Sequence, residues 1–180
     1  TIGKIIKNYL IGEYGDINSI PRELICVAYA ANRAEFNEEI KKFLNEGYYI
    51  IFDRYTYSNL FSAAKMSDNT WEPFINWIEE MEFKDLKNVK PNYNFYLYVD
   101  PKISIERIKN RGKRNYQEDK EDIHESNEKL LIDTSRCYLE FAKTHNDWFI
   151  IDQMENGEQI SEDRVFEKIK EKLDYIIKQK

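Results

Sequence analysis

The amino-acid sequence predicts an α/β protein built on a parallel sheet. Apolar runs stand at 48–52, 95–99 and 148–151, and an acid follows each one directly: Asp53, Asp100 and Asp152. Between them, apolar residues recur at helical spacing. The run opened by Gly47, Tyr48-Tyr49-Ile50-Ile51-Phe52, does not alternate, which is the habit of a strand covered on both faces. Strands alternating with helices call for a parallel sheet flanked by helices on both sides.

At 180 residues the chain is long enough for one domain with a real core, and 1–180 is expected to be a single domain. It is 33% charged with a net charge of −6 and has no free-standing basic run. That balance argues against nucleic-acid or membrane-surface binding, although an acidic protein can still hold a local phosphate pocket. The apolar runs are too short to span a bilayer, and the first residues carry no signal-peptide pattern. Cys26 and Cys137 fall in separate predicted helices, so they are expected to be buried thiols in a reducing cytoplasm. His124 and His145 have no companions at metal-ligand spacing.

In chain order, 1–11 reads as an amphipathic helix with Ile2, Ile5, Ile6, Tyr9 and Leu10 on one stripe, broken by Gly12 and Gly15. Pro21 opens a long helix that Gly47 closes. After the strand at 48–52 come helices at 55–65 and 71–83 and a loop at 87–91. The strand at 95–99 leads into a helix from about 103 that carries Arg107 and Arg111, interrupted by Gly112. A charged stretch at 113–125 precedes a helix to about 143, the third strand and a last helix over 161–178.

Two constellations can carry chemistry. Asp53 and Arg54 sit at a strand's carboxyl end, where open α/β sheets bind ligands. Arginine grips phosphate oxygens and a carboxylate holds Mg²⁺ through water, but the same dipeptide also suits a plain ion pair. Tyr29 and Arg33 share a helix face. They read either as a ring and guanidinium for a planar base or as a tyrosine packed under an arginine. Arg107, Arg111 and Arg114 recur at helical spacing, with Lys113 between the last two, and by themselves read as a solvated helix face.

Ala31-Asn32-Arg33 late in one helix, Asp53-Arg54-Tyr55 with Ser58 after an apolar run, and Lys90-Pro91 before the next strand together resemble the thymidylate kinase family. The likeness continues through 107–114, 122–125, 138–140 and 148–152, so it covers nearly the whole chain. It implies a P-loop kinase fold and the reaction ATP + dTMP → ADP + dTDP with Mg²⁺, a step of dTTP supply. It also implies roles for single residues. Tyr29 stands where the family stacks an aromatic, usually Phe, on thymine, and Arg33 where an arginine bonds the base. Asp53 matches the acid near the phosphates and, through water, the metal; Arg54 matches the arginine on the acceptor phosphate. Asn59, after Ser58, faces the thymine in many members. The chain then runs one residue short of the family pattern, which leaves Phe61 or Ser62 against the deoxyribose. The segment 107–125 matches the lid, whose arginines, Arg111 and Arg114 here, close over the transferring phosphoryl group. The family also implies a homodimer formed through helices.

The loop G-x-x-x-x-G-K-[ST] does not occur in the sequence; Gly3-Lys4 is followed by Ile5, not a hydroxyl residue. The family carries that loop ahead of the point matching Thr1, so about 40–55 preceding residues are expected from usual element lengths. Two other readings stand beside dTMP kinase. One is another deoxynucleotide or deoxynucleoside kinase; the deoxynucleoside kinases favour Glu-Arg-Ser over Asp-Arg-Tyr at the strand end. The other is a non-catalytic relative without the ATP loop.

Overall fold

The computed structural model describes residues 1–16, 19–64, 71–110 and 127–178. Contacts group the chain into two compact units, 1–90 with 112–134 and 91–111 with 135–180.

The first unit is helical among its described residues. Helix α1 (Ile2–Leu10) packs its apolar stripe, centred on buried Tyr9, against α2 (Arg22–Ala34), which buries Ile25, Cys26 and Ala30. Pro21 precedes α2, as expected of a residue that has no N–H to leave unpaired. The predicted long helix breaks after Ala34: the N–H of Phe36 turns back to the carbonyl of Arg33, and α3 (Asn37–Asn45) starts afresh. Phe36 is exposed at this corner, while Asn37 and Ile40 turn inward.

Gly47 ends α3 as expected, in the left-handed region at φ 86°. Its N–H bonds the carbonyl of Leu44, the N–H of Tyr48 reaches Phe43, and the two rings meet edge to face at 5.5 Å. The chain then departs from expectation, because residues 48–52 form no strand. A strand is held by the ladder it shares with a neighbour, and the described residues of this unit hold no other strand. The run carries no regular secondary structure, and its Ile51 is 81% exposed. Past it, a 3₁₀ turn (Thr56–Asn59) and the short α4 (Leu60–Ala63) replace the single predicted helix. The last predicted helix of the unit also divides, into α5 (Trp71–Glu79) and a π-helical segment (Glu80–Asp85). The π geometry shows in the bond from Leu86 N–H back to Met81 C=O at 3.0 Å.

The second unit contains the parallel pair. Strands β1 (Asn94–Tyr98) and β2 (Trp148–Asp152) lie side by side, Asn94 opposite Trp148 and Tyr98 opposite Asp152. Helix α6 (Pro101–Asn110) follows β1, and α8 (Glu162–Lys178) packs on β2. Helix α7 (Glu128–Thr144) contributes its residues from 135 onward. There Tyr138 stacks on Tyr96 at 5.3 Å, and Phe141 meets Trp148 edge to face at 5.3 Å. A small hairpin of β3 (Met154–Glu155) and β4 (Glu158–Gln159) was not expected. Its Asn156-Gly157 turn has both residues at positive φ, 53° and 83°, the turn that matches strand twist. The α/β class with parallel pairing is therefore borne out.

Both cysteines are free and buried. Among the described residues no helix is long and apolar enough to cross a membrane.

Phe141 is 1% exposed, so Phe141→Ala leaves a cavity costing about 3–5 kcal/mol. Urea unfolding followed by tryptophan fluorescence is expected to show the midpoint fall accordingly.

Candidate active site

The predicted site residues Tyr29, Arg33, Asp53, Arg54, Ser58, Asn59 and Phe61 all lie in the first unit. Four of them converge. Tyr29 of α2 meets Phe61 of α4 edge to face at 6.4 Å. One helical turn on, Arg33 directs its guanidinium to Glu82, Nε donating to Oε2 at 3.3 Å and Nη2 to Oε1. Asn59 donates its Nδ2 to the same Oε1 at 3.4 Å. Asn88 donates to Oε2 at 2.6 Å and to the carbonyl of Ala30 at 3.0 Å.

Glu82 is fully buried and Arg33 only 13% exposed. A buried carboxylate persists only when it is paired and hydrogen-bonded. An ionised carboxylate offers about four lone-pair positions, and four N–H groups from three residues fill them. Neither Glu82 nor Asn88 belonged to the expected site. A signal for Glu82 was legible: Ile75, Ile78 and Glu82 are spaced three and four apart, which puts an acid on an apolar stripe. Such an acid needs a buried cation. Which cation it takes could not be read locally, because Arg33 lies forty-nine positions away in the chain.

Tyr55 joins the cluster. The Arg33 guanidinium lies over its ring at 5.7 Å, and Phe52 stacks on it at 4.3 Å. Burial pushes its phenol up, and the Glu82 carboxylate adds to that shift. Burial likewise holds the Cys26 thiol at about 11, which the hydrogen bond to Ser62 only partly offsets. Cys26 is therefore no nucleophile near neutral pH.

Asp53 and Arg54 are exposed in the loop leading to Tyr55. Among the described residues they pair neither with each other nor with another side chain, so the plain ion-pair reading does not hold there. Arg54 sits at φ 66°, a region costly for a residue with a Cβ and often found where a chain holds a functional group. The other two acids of the apolar runs behave differently. Asp100 accepts the N–H of Lys102 at the start of α6, and Asp152 accepts that of Met154. They are local caps; Asp53 is not. Ser58 is half-buried in the 3₁₀ turn. Arg107 is exposed on α6, and Arg111, Arg114 and the rest of the expected lid lie outside the described residues.

Against known proteins, the thymidylate kinase family model matches residues 1–164. The chain belongs to the thymidylate kinase family. The thymidylate kinase of Plasmodium falciparum is 34% identical over 176 residues, 96% of this chain and 72% of its own. That of Schizosaccharomyces pombe is 31% identical over 160 residues, 88% of this chain and 67% of its own. That of Mycobacterium tuberculosis H37Rv is 31% identical over 140 residues, 77% of this chain and 64% of its own. The resemblance read from the three short motifs is thus borne out at the level of family.

Arg33→Met would leave Glu82 buried with no cation, an outcome that costs about 3–5 kcal/mol. The expected result is a large loss in urea midpoint as well as any loss of ligand affinity. A variant as stable as the parent would show that Glu82 finds its compensation elsewhere.

Proposed function

We propose that the protein is a dTMP kinase, transferring the γ-phosphoryl group of ATP to dTMP. An oxygen of the dTMP phosphate attacks Pγ, the bond from Pγ to the β–γ bridging oxygen breaks, and dTDP and ADP result. The observation that carries this reading is the family match over 164 residues, supported by an aromatic pair and an arginine of α2 and α4 gathered in one cluster.

In this reading Tyr29 stacks on the thymine and Arg33 donates to a carbonyl of the base. Ser58, Asn59 and Phe61 complete the deoxynucleoside pocket. Arg54 holds the acceptor phosphate with a charge-assisted bond. Arg111 and Arg114 neutralise charge on the transferring group from the lid. Phosphoryl transfer asks mainly for such positioning and charge compensation.

Mg²⁺ fits this donor set. No cluster of three or more metal-binding side chains exists among the described residues, and Mg²⁺ in kinases leans on phosphate oxygens and water with one or two carboxylates. Asp53, exposed and without a partner among the described residues, would hold the ion through water. When bound, Mg²⁺ supplies charge neutralisation on the phosphates. Residues 1–180 are read as part of one thymidylate kinase-like domain that works in the cytoplasm. ADP release measured across dTMP, dUMP, dCMP, dGMP and thymidine tests the reading, with dTMP expected to be the preferred acceptor. Preference for thymidine or for a purine nucleotide would overturn it.

Arg54→Gly keeps the left-handed backbone without strain while removing the guanidinium. Loss of that contact is expected to lower kcat/KM for dTMP by about 2–5 kcal/mol of transition-state stabilisation, with the urea midpoint little changed. An unaltered kcat/KM would place the acceptor phosphate elsewhere.

The protein is also read as a homodimer through α2, on which Leu24 and Val27 are exposed one turn apart. An isologous contact of this face buries both copies' apolar residues together. Multi-angle light scattering is expected to give twice the chain mass of 21.7 kDa, and Leu24→Glu should return it to one. A monomeric parent would end this reading.

A further inference from the structure

We infer that Glu82 is a positioning residue that sets the donor–acceptor polarity of the base site and so selects a 4-keto pyrimidine. The inference rests on the dTMP kinase reading above and adds to it a residue that touches no substrate.

A carboxylate paired with a guanidinium accepts hydrogen bonds and donates none. The Asn59 carboxamide must therefore turn its NH₂ toward Oε1 of Glu82, at 3.4 Å, and its oxygen away from it. Asn59 is 1% exposed and buried in the 3₁₀ turn, so it has little room for another orientation. Arg33 is held the same way. Its Nε and Nη2 engage Glu82 as a two-point fork, which leaves the Nη1 edge as its remaining donor edge. Among the described residues neither Nη1 of Arg33 nor Oδ1 of Asn59 has a hydrogen-bond partner. One carboxylate thus prepares a donor on Arg33 and an acceptor on Asn59.

That pairing matches the edge of thymine or uracil, which shows a carbonyl acceptor at position 4 beside an N–H donor at position 3. Cytosine presents the reverse, an amino donor at position 4 and a bare ring nitrogen. It would set donor against donor at Arg33 and acceptor against acceptor at Asn59. A site whose buried polar groups are left unpaired rejects such a ligand strongly.

The backbone around Glu82 supports a dedicated role. Glu82 lies in the π-helical segment Glu80–Asp85, a rare geometry that recurs at functional sites. Its own carbonyl is engaged by the N–H of Asn88 at 2.8 Å, while the Asn88 side chain fills Oε2. The wide turn and the returning chain hold the carboxylate between Arg33 and Asn59.

The test compares binding of dTMP and dCMP to the full chain by isothermal titration calorimetry. Glu82→Gln keeps shape but turns one oxygen into a donor, which lets the Asn59 amide reverse. The expected result is that the dTMP-over-dCMP affinity ratio falls about tenfold or more, through weaker dTMP and unchanged or tighter dCMP. Glu82→Asp, which still only accepts, should retain most of the ratio. Should Glu82→Gln fail to fold, Asn59→Ala replaces it: Glu82 keeps Arg33 and Asn88, and dTMP should weaken about tenfold while dCMP does not. Equal loss for both nucleotides in either variant, or an unchanged ratio, would overturn the role of Glu82 and leave it a structural ion. A parent chain that binds neither nucleotide would overturn the nucleotide reading itself, and this inference with it.

Discussion

The first unit turns on a single buried negative charge. Glu82 has no access to solvent, and the cost of removing a carboxylate from water is several kcal/mol unless it is offset. Here the offset comes from α2 through Arg33, from the 3₁₀ turn through Asn59 and from the returning chain through Asn88. Three separate stretches are tied to one π-helical turn. Such a network is weak evidence for net stability, since apolar packing could do as well. Its effect is on uniqueness: with four donors on one carboxylate, few alternative arrangements of these side chains remain satisfied.

That constraint also shapes the neighbouring side chains. Arg33 is held at the last turn of α2, where the helix ends and the chain turns toward α3. Its guanidinium covers the Tyr55 ring, and Tyr55 closes the loop that carries Asp53 and Arg54. The ordered Arg33–Glu82 cluster and the exposed Asp53-Arg54 pair are therefore adjacent along a short piece of chain. The strained backbone of Arg54 belongs to this loop, next to a residue fixed by stacking and burial.

The second unit follows simpler physics. A parallel pair of strands, aromatic packing from α7 and the cover of α8 make its core. Its strand-end acids serve the backbone: Asp100 starts a helix and Asp152 shapes the turn into a hairpin. Asp53, which follows a run that forms no strand, makes no such bond among the described residues.

The sequence by itself determined what depends on near neighbours in the chain. Helix starts and stops at Pro21 and Gly47, the strands at 94–98 and 148–152, and the family motifs around Arg33 and Asp53-Arg54 were legible because each is a local pattern of spacing and punctuation. The Asn156-Gly157 hairpin was equally local, and its dipeptide could have revealed it. Residues 48–52 show the limit: five apolar residues promise a strand, but pairing is a property of two segments, and this run pairs with no strand among the described residues. The division of the long helix at Phe36 and the π turn at Glu80–Asp85 likewise depend on what each side chain packs against. Above all, the sequence marked Glu82 only as an acid on an apolar stripe. Only tertiary structure decided its partners, because a buried charge is compensated through space, and the cation it needs can come from any distance along the chain.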